Sequence, residues 1–254
     1  MTKIITMTKL RKYNFIAGFL HLAQGIALLL LSKEFVLPIS GTYLSFNAAT
    51  QSLEPTSKFL FNLSLPLLVA VFLFLSAAAH FIIATVYHKQ YARQLSKGIN
   101  VVRWIEYSLS ASVMIVGVAL LVGVYDAMSL VMLFALVAIM NLLGLVMEIH
   151  NQTTKKTSWV SYWIGCLAGA IPWVVVAFYM WLGAVNGSSA PTFVYWIFVS
   201  IFIFFNTFAV NMALQYKKVG PWKNYLYGEF VYIILSLVAK SLLAWQVFAG
   251  TLRP

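Results

Sequence analysis

Seven long apolar stretches constrain the fold of this chain more than any other feature. Each contains the roughly 20 residues that an α-helix needs to cross about 30 Å of hydrocarbon. The chain has 62% hydrophobic and only 9% charged residues, with a mean hydropathy of +0.88, which excludes an ordinary soluble domain. We therefore predict an all-α membrane protein with one domain over residues 1–254. Its predicted spans cover about 13–32, 59–86, 101–124, 127–146, 159–185, 192–214 and 227–248.

The basic residues predict how the spans are oriented. Of the 17 Lys and Arg residues, thirteen fall in the N-terminal tail, in the second, fourth and sixth connections, or at the start of the third span. They are Lys3, Lys9, Arg11, Lys12, Lys89, Arg93, Lys97, Arg103, Lys155, Lys156, Lys217, Lys218 and Lys223. The positive-inside rule then predicts a multi-pass plasma-membrane protein with a cytoplasmic N-terminus and an extracellular C-terminus. The net charge of +11 fits this topology and contact with anionic lipid, and no basic domain indicates nucleic-acid binding.

Two ionisable residues lie well inside the spans. Lys240 interrupts the last span, in "LSLVAKSLLAWQ", and Glu106 interrupts the third. A charge inside the bilayer is costly and persists mainly where it faces a partner in the bundle interior. From the predicted cytoplasmic boundary, Glu106 is about 8 Å deep and Lys240 about 15 Å deep. A helical side chain tilts toward the N-terminus of its helix, here toward the cytoplasm, so we expect the lysine to reach the carboxylate.

Other polar residues are predicted at a similar level. His21 on the first span and His80 on the second are each about 12 to 14 Å from the cytoplasmic boundary. The same half of the bundle contains Ser110, Asn141, Asn206 and Ser236. The sequence therefore predicts a polar cluster around the Lys–Glu pair. The histidines and the single cysteine show no metal-ligand spacing, so no metal site is predicted.

The residues alone leave three uses open for the Lys–Glu pair. It could couple transport to an ion, it could be a structural bridge, or the lysine could hold a covalent aldehyde cofactor. The third use is chemically specific, because a desolvated lysine is nucleophilic as the free amine and condenses with an aldehyde. The protonated imine that results needs a carboxylate counter-ion, which Glu106 could supply.

Several long strings resemble the heliorhodopsins, a family of retinal-binding seven-helix membrane rhodopsins with inverted topology. They include "RWIEYSLSASVMI" (103–115), "GCLAGAIPW" (165–173), "FFNTFA" (204–209), "LQYK" (214–217) and "YIILSLVAKSLLAWQVFAGTL" (232–252). The strings are collinear, and "AGFLHLAQ" (17–24) and "LPISGTYL" (37–44) also fit, so the resemblance runs over nearly the whole chain. The resemblance implies a rhodopsin-like bundle that is not an enzyme and carries all-trans retinal.

The resemblance also implies roles for individual residues. Lys240 corresponds to the Schiff-base lysine, Glu106 to its counter-ion, and Ser236 to a hydrogen-bonding neighbour of the imine. His21 and His80 correspond to the polar pocket on the cytoplasmic side, where the resemblance implies a proton-accepting role. The remaining residues of the predicted retinal site are Tyr107, Ser110, Asn141, Trp163 and Phe205.

The function implied by the resemblance is light sensing. Light isomerises the retinal to 13-cis and the imine proton leaves toward the cytoplasmic cluster, in a slow photocycle without ion pumping. Light-driven or light-gated proton transport is the first alternative, and a non-retinal transporter that uses the Lys–Glu pair is the second. The segment from Lys33 to Lys58 resembles an extracellular β-hairpin that contributes to a homodimer. Short basic loops could also bind a cytoplasmic signalling partner.

Overall fold

The computed structural model describes residues 5–253, so Lys3 of the predicted basic set lies outside the described residues. Within this range the chain forms eight α-helices and one antiparallel hairpin. In chain order they are α1 (Met7–Leu31), β1 (Val36–Asn47), β2 (Ser52–Ser64), α2 (Leu65–Ala84), α3 (His88–Leu95), α4 (Val101–Leu121), α5 (Ala127–His150), α6 (Val160–Val185), α7 (Thr192–Tyr216) and α8 (Tyr225–Val247). Every helix except α3 is long and apolar enough to cross a membrane, which gives seven spans. The chain is a multi-pass membrane protein.

Five of the seven spans begin at a side chain that caps the helix. The caps are Thr6, Ser64, Asn100, Asp126 and Asn224, and each accepts a hydrogen bond from a backbone N–H of the first turn. Such caps satisfy donors that the helix itself leaves unpaired. The polar residues between the apolar runs therefore set where the spans begin.

The hairpin lies between α1 and α2 and packs on one end of the bundle, which we call the hairpin end. Its strands pair from Val36 with Ser64 to Asn47 with Ser52, with a register shift between Ile39 and Ser40. Leu37 and Ile39 at its base are buried against the bundle core. The outer part is exposed, so the hairpin is anchored only at its base. The hairpin that the sequence predicted is present, and β2 extends beyond Lys58.

The predicted second span was wrong at its start. Residues 59–64 belong to β2, and α2 begins only at Leu65. An apolar strand and an apolar helix have the same average hydropathy, and pairing with β1 decided the conformation here. Ser64 as the cap and Pro66 in the first turn mark the true start of the helix.

Other boundaries differ in the opposite direction, because the helices are longer than the predicted spans. Helix α1 begins at Met7 and α5 continues to His150, each beyond the predicted span, because polar and basic residues continue a helix outside an apolar layer. The short helix α3, with the basic residues Lys89 and Arg93, was not predicted. The last span ends in a π-helical turn over Phe248–Leu252, and the Leu252 carbonyl accepts from the Lys33 backbone N–H.

The bundle interior is divided along its axis. Toward the hairpin end it is apolar, with fully buried residues such as Ile115, Val118, Leu120 and Ile197. Toward the other end, which we call the basic end, the interior contains most of the buried polar and charged side chains. Buried charges require partners, so the chemistry of this protein is concentrated in the basic half.

Candidate functional site

Lys240 and Glu106 are in direct contact, as the depth argument predicted. The Lys240 ammonium on α8 lies 2.9 Å from the Glu106 carboxylate on α4. Both side chains are buried, with 3% and 9% of their residue surfaces exposed. Lys240 also donates to the Ser236 hydroxyl one turn earlier, at 2.8 Å. The pair forms the centre of the candidate site.

A residue that the sequence argument missed completes the coordination of the carboxylate. The Ser76 hydroxyl on α2 lies 2.6 Å from the same Glu106 oxygen that Lys240 contacts. It also lies 3.1 Å from the Phe72 carbonyl, but its single proton goes preferentially to the nearer, charged acceptor. The apolar stretch around Ser76 gave no signal for this contact, since only the helix packing places α2 beside α4. Ser110, predicted for the site, is fully buried one turn after Glu106 on the same helix.

The two predicted histidines lie together beside the pair. The His21 and His80 rings stack with centroids 5.6 Å apart and planes inclined by 9°. His80 Nδ1 lies 2.7 Å from the Asn14 side-chain oxygen, and the Asn14 amide nitrogen donates to the Leu10 carbonyl. Both ring nitrogens of His21 lack a partner among the described residues.

A small cavity lies between His80 and the Glu106 carboxylate. It has a volume of about 30 Å³, and His80, Glu106 and Arg103 are among its lining residues. That volume is enough for one water molecule. His80 and the counter-ion candidate Glu106 therefore border a common space.

On its other side, Lys240 borders an apolar cavity. This cavity has a volume of about 40 Å³ and adjoins a larger one of about 210 Å³ that extends between α5, α6 and α7. The two share the lining residues Tyr107, Met140, Asn141, Phe205 and Phe208. The lysine thus lies at the end of an elongated space with mostly apolar and aromatic walls.

Three predicted lining residues occupy these walls. The Tyr107 ring lies 5.0 Å from the Lys240 nitrogen, and its hydroxyl donates to the Tyr232 carbonyl. Asn141 and Phe205 line both cavities. Asn206, predicted only for the polar cluster, is exposed and contributes to the edge of the larger cavity.

The prediction for Trp163 was wrong. Its side chain is 66% exposed on the outer face of α6 and lines neither cavity. The cavity face of this helix presents Tyr162, Gly169 and Trp173 instead. Sequence position alone does not give the rotation of a helix that is apolar on every side, and α6 is such a helix.

A second buried ionic group lies nearer the basic end. Arg103 on α4 pairs with Glu148 on α5 and with Glu229 on α8, and all three side chains are buried. The Asn100 amide donates to Glu229 and the Trp104 indole to Glu148, at 2.6 and 2.7 Å. From the sequence, Arg103 was predicted only as part of the orientation signal. Depth in the bundle could have indicated this cluster. Arg103 and Glu229 lie near the starts of α4 and α8, Glu148 lies near the end of α5, and these helix ends are at the same level.

Comparison with known families identifies the chain. The family model described as Heliorhodopsin matches residues 10–252. The chain belongs to the heliorhodopsin family. The family prediction from the sequence is thereby confirmed.

A solved structure shares the fold of this heliorhodopsin. The crystal structure of a light-driven proton pump LR (Mac) from Leptosphaeria maculans superposes with a TM-score of 0.67. The match covers 97% of this chain and 95% of the pump's chain, at 14% sequence identity. At that identity the likeness shows the rhodopsin fold alone. The comparison with curated proteins gave no match.

Family and fold make this heliorhodopsin a light-responsive protein that uses retinal. The residues present fit such a cofactor. The Lys240 amine could bond an aldehyde, Glu106 could balance the positive charge, and the cavities beyond the amine offer a long apolar space for a polyene.

Proposed function

We propose that this heliorhodopsin is a light sensor that binds all-trans retinal as a protonated Schiff base on Lys240. The observation that carries the proposal is the position of the Lys240 amine between the Glu106 carboxylate and the apolar cavity. A structural ion pair needs no such cavity. An ion-transport site needs no apolar, aromatic-lined space beside the amine.

The residues around Lys240 have separate tasks. Lys240 holds the cofactor, and Glu106 stabilises the positive charge on the nitrogen by direct electrostatic contact. Ser236 and Ser76 orient the amine and the carboxylate through their hydroxyl groups. Tyr107, Asn141 and Phe205 enclose the polyene, while Ser110 packs beneath the counter-ion. Retinal, when bound, supplies visible absorption and a light-driven change from the all-trans to the 13-cis form.

The hydrogen bonds around His80 define where a proton could go. Because the Asn14 amide nitrogen donates to a carbonyl, its oxygen faces His80 and accepts from Nδ1–H. Nε2 of the neutral His80 ring then carries the lone pair. We propose that this atom, with His21 stacked beside it, receives the proton released from the lysine nitrogen after illumination and later returns it.

The distribution of acids favours sensing over pumping. Glu34, Glu54 and Asp126 are the acids on the hairpin side of Lys240, and all three lie outside the spans. Between them and the site the core is apolar, with Ile115, Val118 and Leu120 fully buried. A proton moving toward the hairpin end would find no carboxylate to carry it, so we propose a slow cycle in which the proton returns to the same side.

The surroundings of the bundle are part of the proposal. The basic end faces the cytoplasm of the plasma membrane, since it carries most of the lysines and arginines. The exposed Tyr43, Phe46 and Leu53 on the outer hairpin support a homodimer formed through this element, with lipid around the spans. A cytoplasmic signalling partner would contact the basic loops.

Spectroscopy with added retinal tests the proposal. The purified chain should form a visible pigment with all-trans retinal, and extracted retinal should change from all-trans to 13-cis on illumination. A chain that stays colourless would overturn the retinal assignment.

Proton transport is the second candidate, because the fold is shared with a light-driven proton pump. Illuminated cells in unbuffered medium distinguish the two functions. We expect no sustained pH change beyond the cycle of the pigment itself. A pH change that a protonophore abolishes would show transport and overturn the sensor proposal.

A further inference from the structure

A separate cavity lies at the basic end of the bundle, away from the Lys240 site. It has a volume of about 390 Å³ and is lined by residues from the connections α3–α4, α5–α6 and α7–α8 and from the adjoining helix ends. Lys97, Lys155, Lys218 and Lys223 line it, so each of these connections contributes at least one lysine. We call this space the lysine cavity.

The charge of the lysine cavity is unbalanced. None of its lining residues is Asp or Glu. Among the described residues, none of the four ammonium groups has an ion-pair or hydrogen-bond partner. Charges of one sign around a concave surface concentrate the electrostatic potential there. An anion bound between the lysines would relieve their mutual repulsion.

Hydrogen bonds hold the walls of the lysine cavity in place. The Tyr225 hydroxyl donates to buried Glu148 at 3.0 Å, and the Trp222 indole donates to buried Asn211 at 2.6 Å. In the α5–α6 connection, the Asn151 side-chain oxygen accepts from the Ser158 backbone N–H and the Thr154 hydroxyl. A site whose walls are already ordered loses less entropy when a ligand binds.

The chemistry of the walls selects the ligand class. We infer that the lysine cavity binds a phosphate-bearing anion, either a soluble phosphorylated molecule or the headgroup of an anionic phospholipid. A phosphate group offers several acceptor oxygens and up to two negative charges, which suits several ammonium donors better than a single carboxylate does. Thr157 and Gln152 add neutral donors, and the volume lies in the range of small-molecule sites, about 300–1,000 Å³. The inference does not depend on retinal, because none of these residues touches Lys240 or its cavity.

Neighbouring lysines provide a matched control. Lys156 and Lys217 adjoin Lys155 and Lys218 in sequence and do not line the cavity. The double variants K155Q/K218Q and K156Q/K217Q therefore have the same net charge and differ in which lysines remain at the cavity.

Titration of pyrophosphate into the full chain in neutral detergent micelles, followed by calorimetry, tests the inference. We expect saturable binding to the wild type, about tenfold weaker binding to K155Q/K218Q, and near wild-type binding to K156Q/K217Q. Absence of saturable binding, or equal loss in both double variants, would overturn the inference.

Nanodiscs distinguish the two sources of phosphate. If the ligand is a lipid headgroup, nanodiscs with phosphatidylglycerol should suppress pyrophosphate binding to the wild type, and native mass spectrometry should show lipid retained by the wild type and by K156Q/K217Q but lost from K155Q/K218Q. If the ligand is soluble, pyrophosphate should still bind in these nanodiscs, with the same order of affinities among the variants. Lipid retained equally by all three proteins, together with no pyrophosphate binding, would contradict both sources.

Discussion

The two buried ionic groups of this bundle differ in what surrounds them. Arg103 is enclosed by two carboxylates and by the rings of Trp104 and Tyr232. Lys240 has one carboxylate and one hydroxyl on its polar side and an apolar cavity on the other. A guanidinium stays protonated and forms several fixed hydrogen bonds, whereas an amine can lose its proton and form a bond. Buried charge is common to both groups. A reactive site therefore differs from a structural one in the chemistry of its side chain and in its access to a cavity.

The largest effect is expected at Lys240. Lys240→Arg should keep a positive charge near Glu106 and still abolish the pigment completely, because a guanidinium does not condense with an aldehyde. Lys240→Ala should also be colourless, and the exposed Lys58→Ala should form normal pigment. Absorption spectra after addition of all-trans retinal measure this. A retinal pigment in either Lys240 variant would show that the cofactor is bound elsewhere.

The next largest effect is expected at Arg103, and on stability. Arg103→Gln leaves Glu148 and Glu229 buried without their cation, and breaking a buried pair in this way costs about 3–5 kcal/mol. We expect a clear fall in the thermal midpoint of the purified protein, with little change in the absorption maximum of the pigment that survives.

The exposed Arg93→Gln removes the same charge and serves as the control. Its midpoint should match the wild type. If Arg103→Gln is as stable as Arg93→Gln, or if it shifts the colour as strongly as a change at Glu106, the structural role of this cluster is wrong.

The Lys240–Glu106 contact could be predicted from the sequence because depth along the bundle axis follows from counting residues along each helix. The helical rise and the tilt of side chains placed both groups at one level without knowledge of helix packing. The same calculation could have found the Arg103 cluster, since Arg103 and Glu229 are the third and fifth residues of α4 and α8. It was missed because an arginine near the start of a span was interpreted only as an orientation signal.

Features that depend on rotation or pairing could not be predicted in this way. Trp163 faces outward and Trp173 inward on a helix that is apolar on all sides. The sequence therefore did not indicate which face of the helix points into the bundle. Ser76 joins Glu106 only because α2 packs against α4. The apolar residues 59–64 became a strand through pairing with β1. In each case a contact distant in sequence decided the outcome.

A smaller effect is expected from Glu106→Gln, which changes colour and leaves the pigment bound. Loss of the negative charge removes the electrostatic stabilisation of the positive nitrogen end in the ground state, so the absorption maximum should shift to the red and become sensitive to pH. Ser76→Ala keeps the negative charge and removes only a hydrogen bond to the carboxylate, so its shift should be smaller. An unchanged maximum in Glu106→Gln would contradict the counter-ion role.

The smallest effect is expected at Glu54, a half-buried carboxylate near the hairpin tip that contrasts with both buried groups. Hydrogen bonds from the Asn47 amide and then from the Thr50 hydroxyl lower the pKa of Glu54. A lowered folded-state pKa means that this carboxylate stabilises the tip above its unfolded pKa, and that the contribution disappears as pH falls through the folded pKa. The amides in the turn between the strands should therefore lose protection at acid pH, measured as the hydrogen-exchange rate relative to the intrinsic rate at the same pH, while amides in the Leu37–Ile39 base stay protected. In Asn47→Ala the NMR-measured pKa of Glu54 should rise toward its ordinary value. An equal pKa in wild type and variant would show that the Asn47 bond does not form in solution.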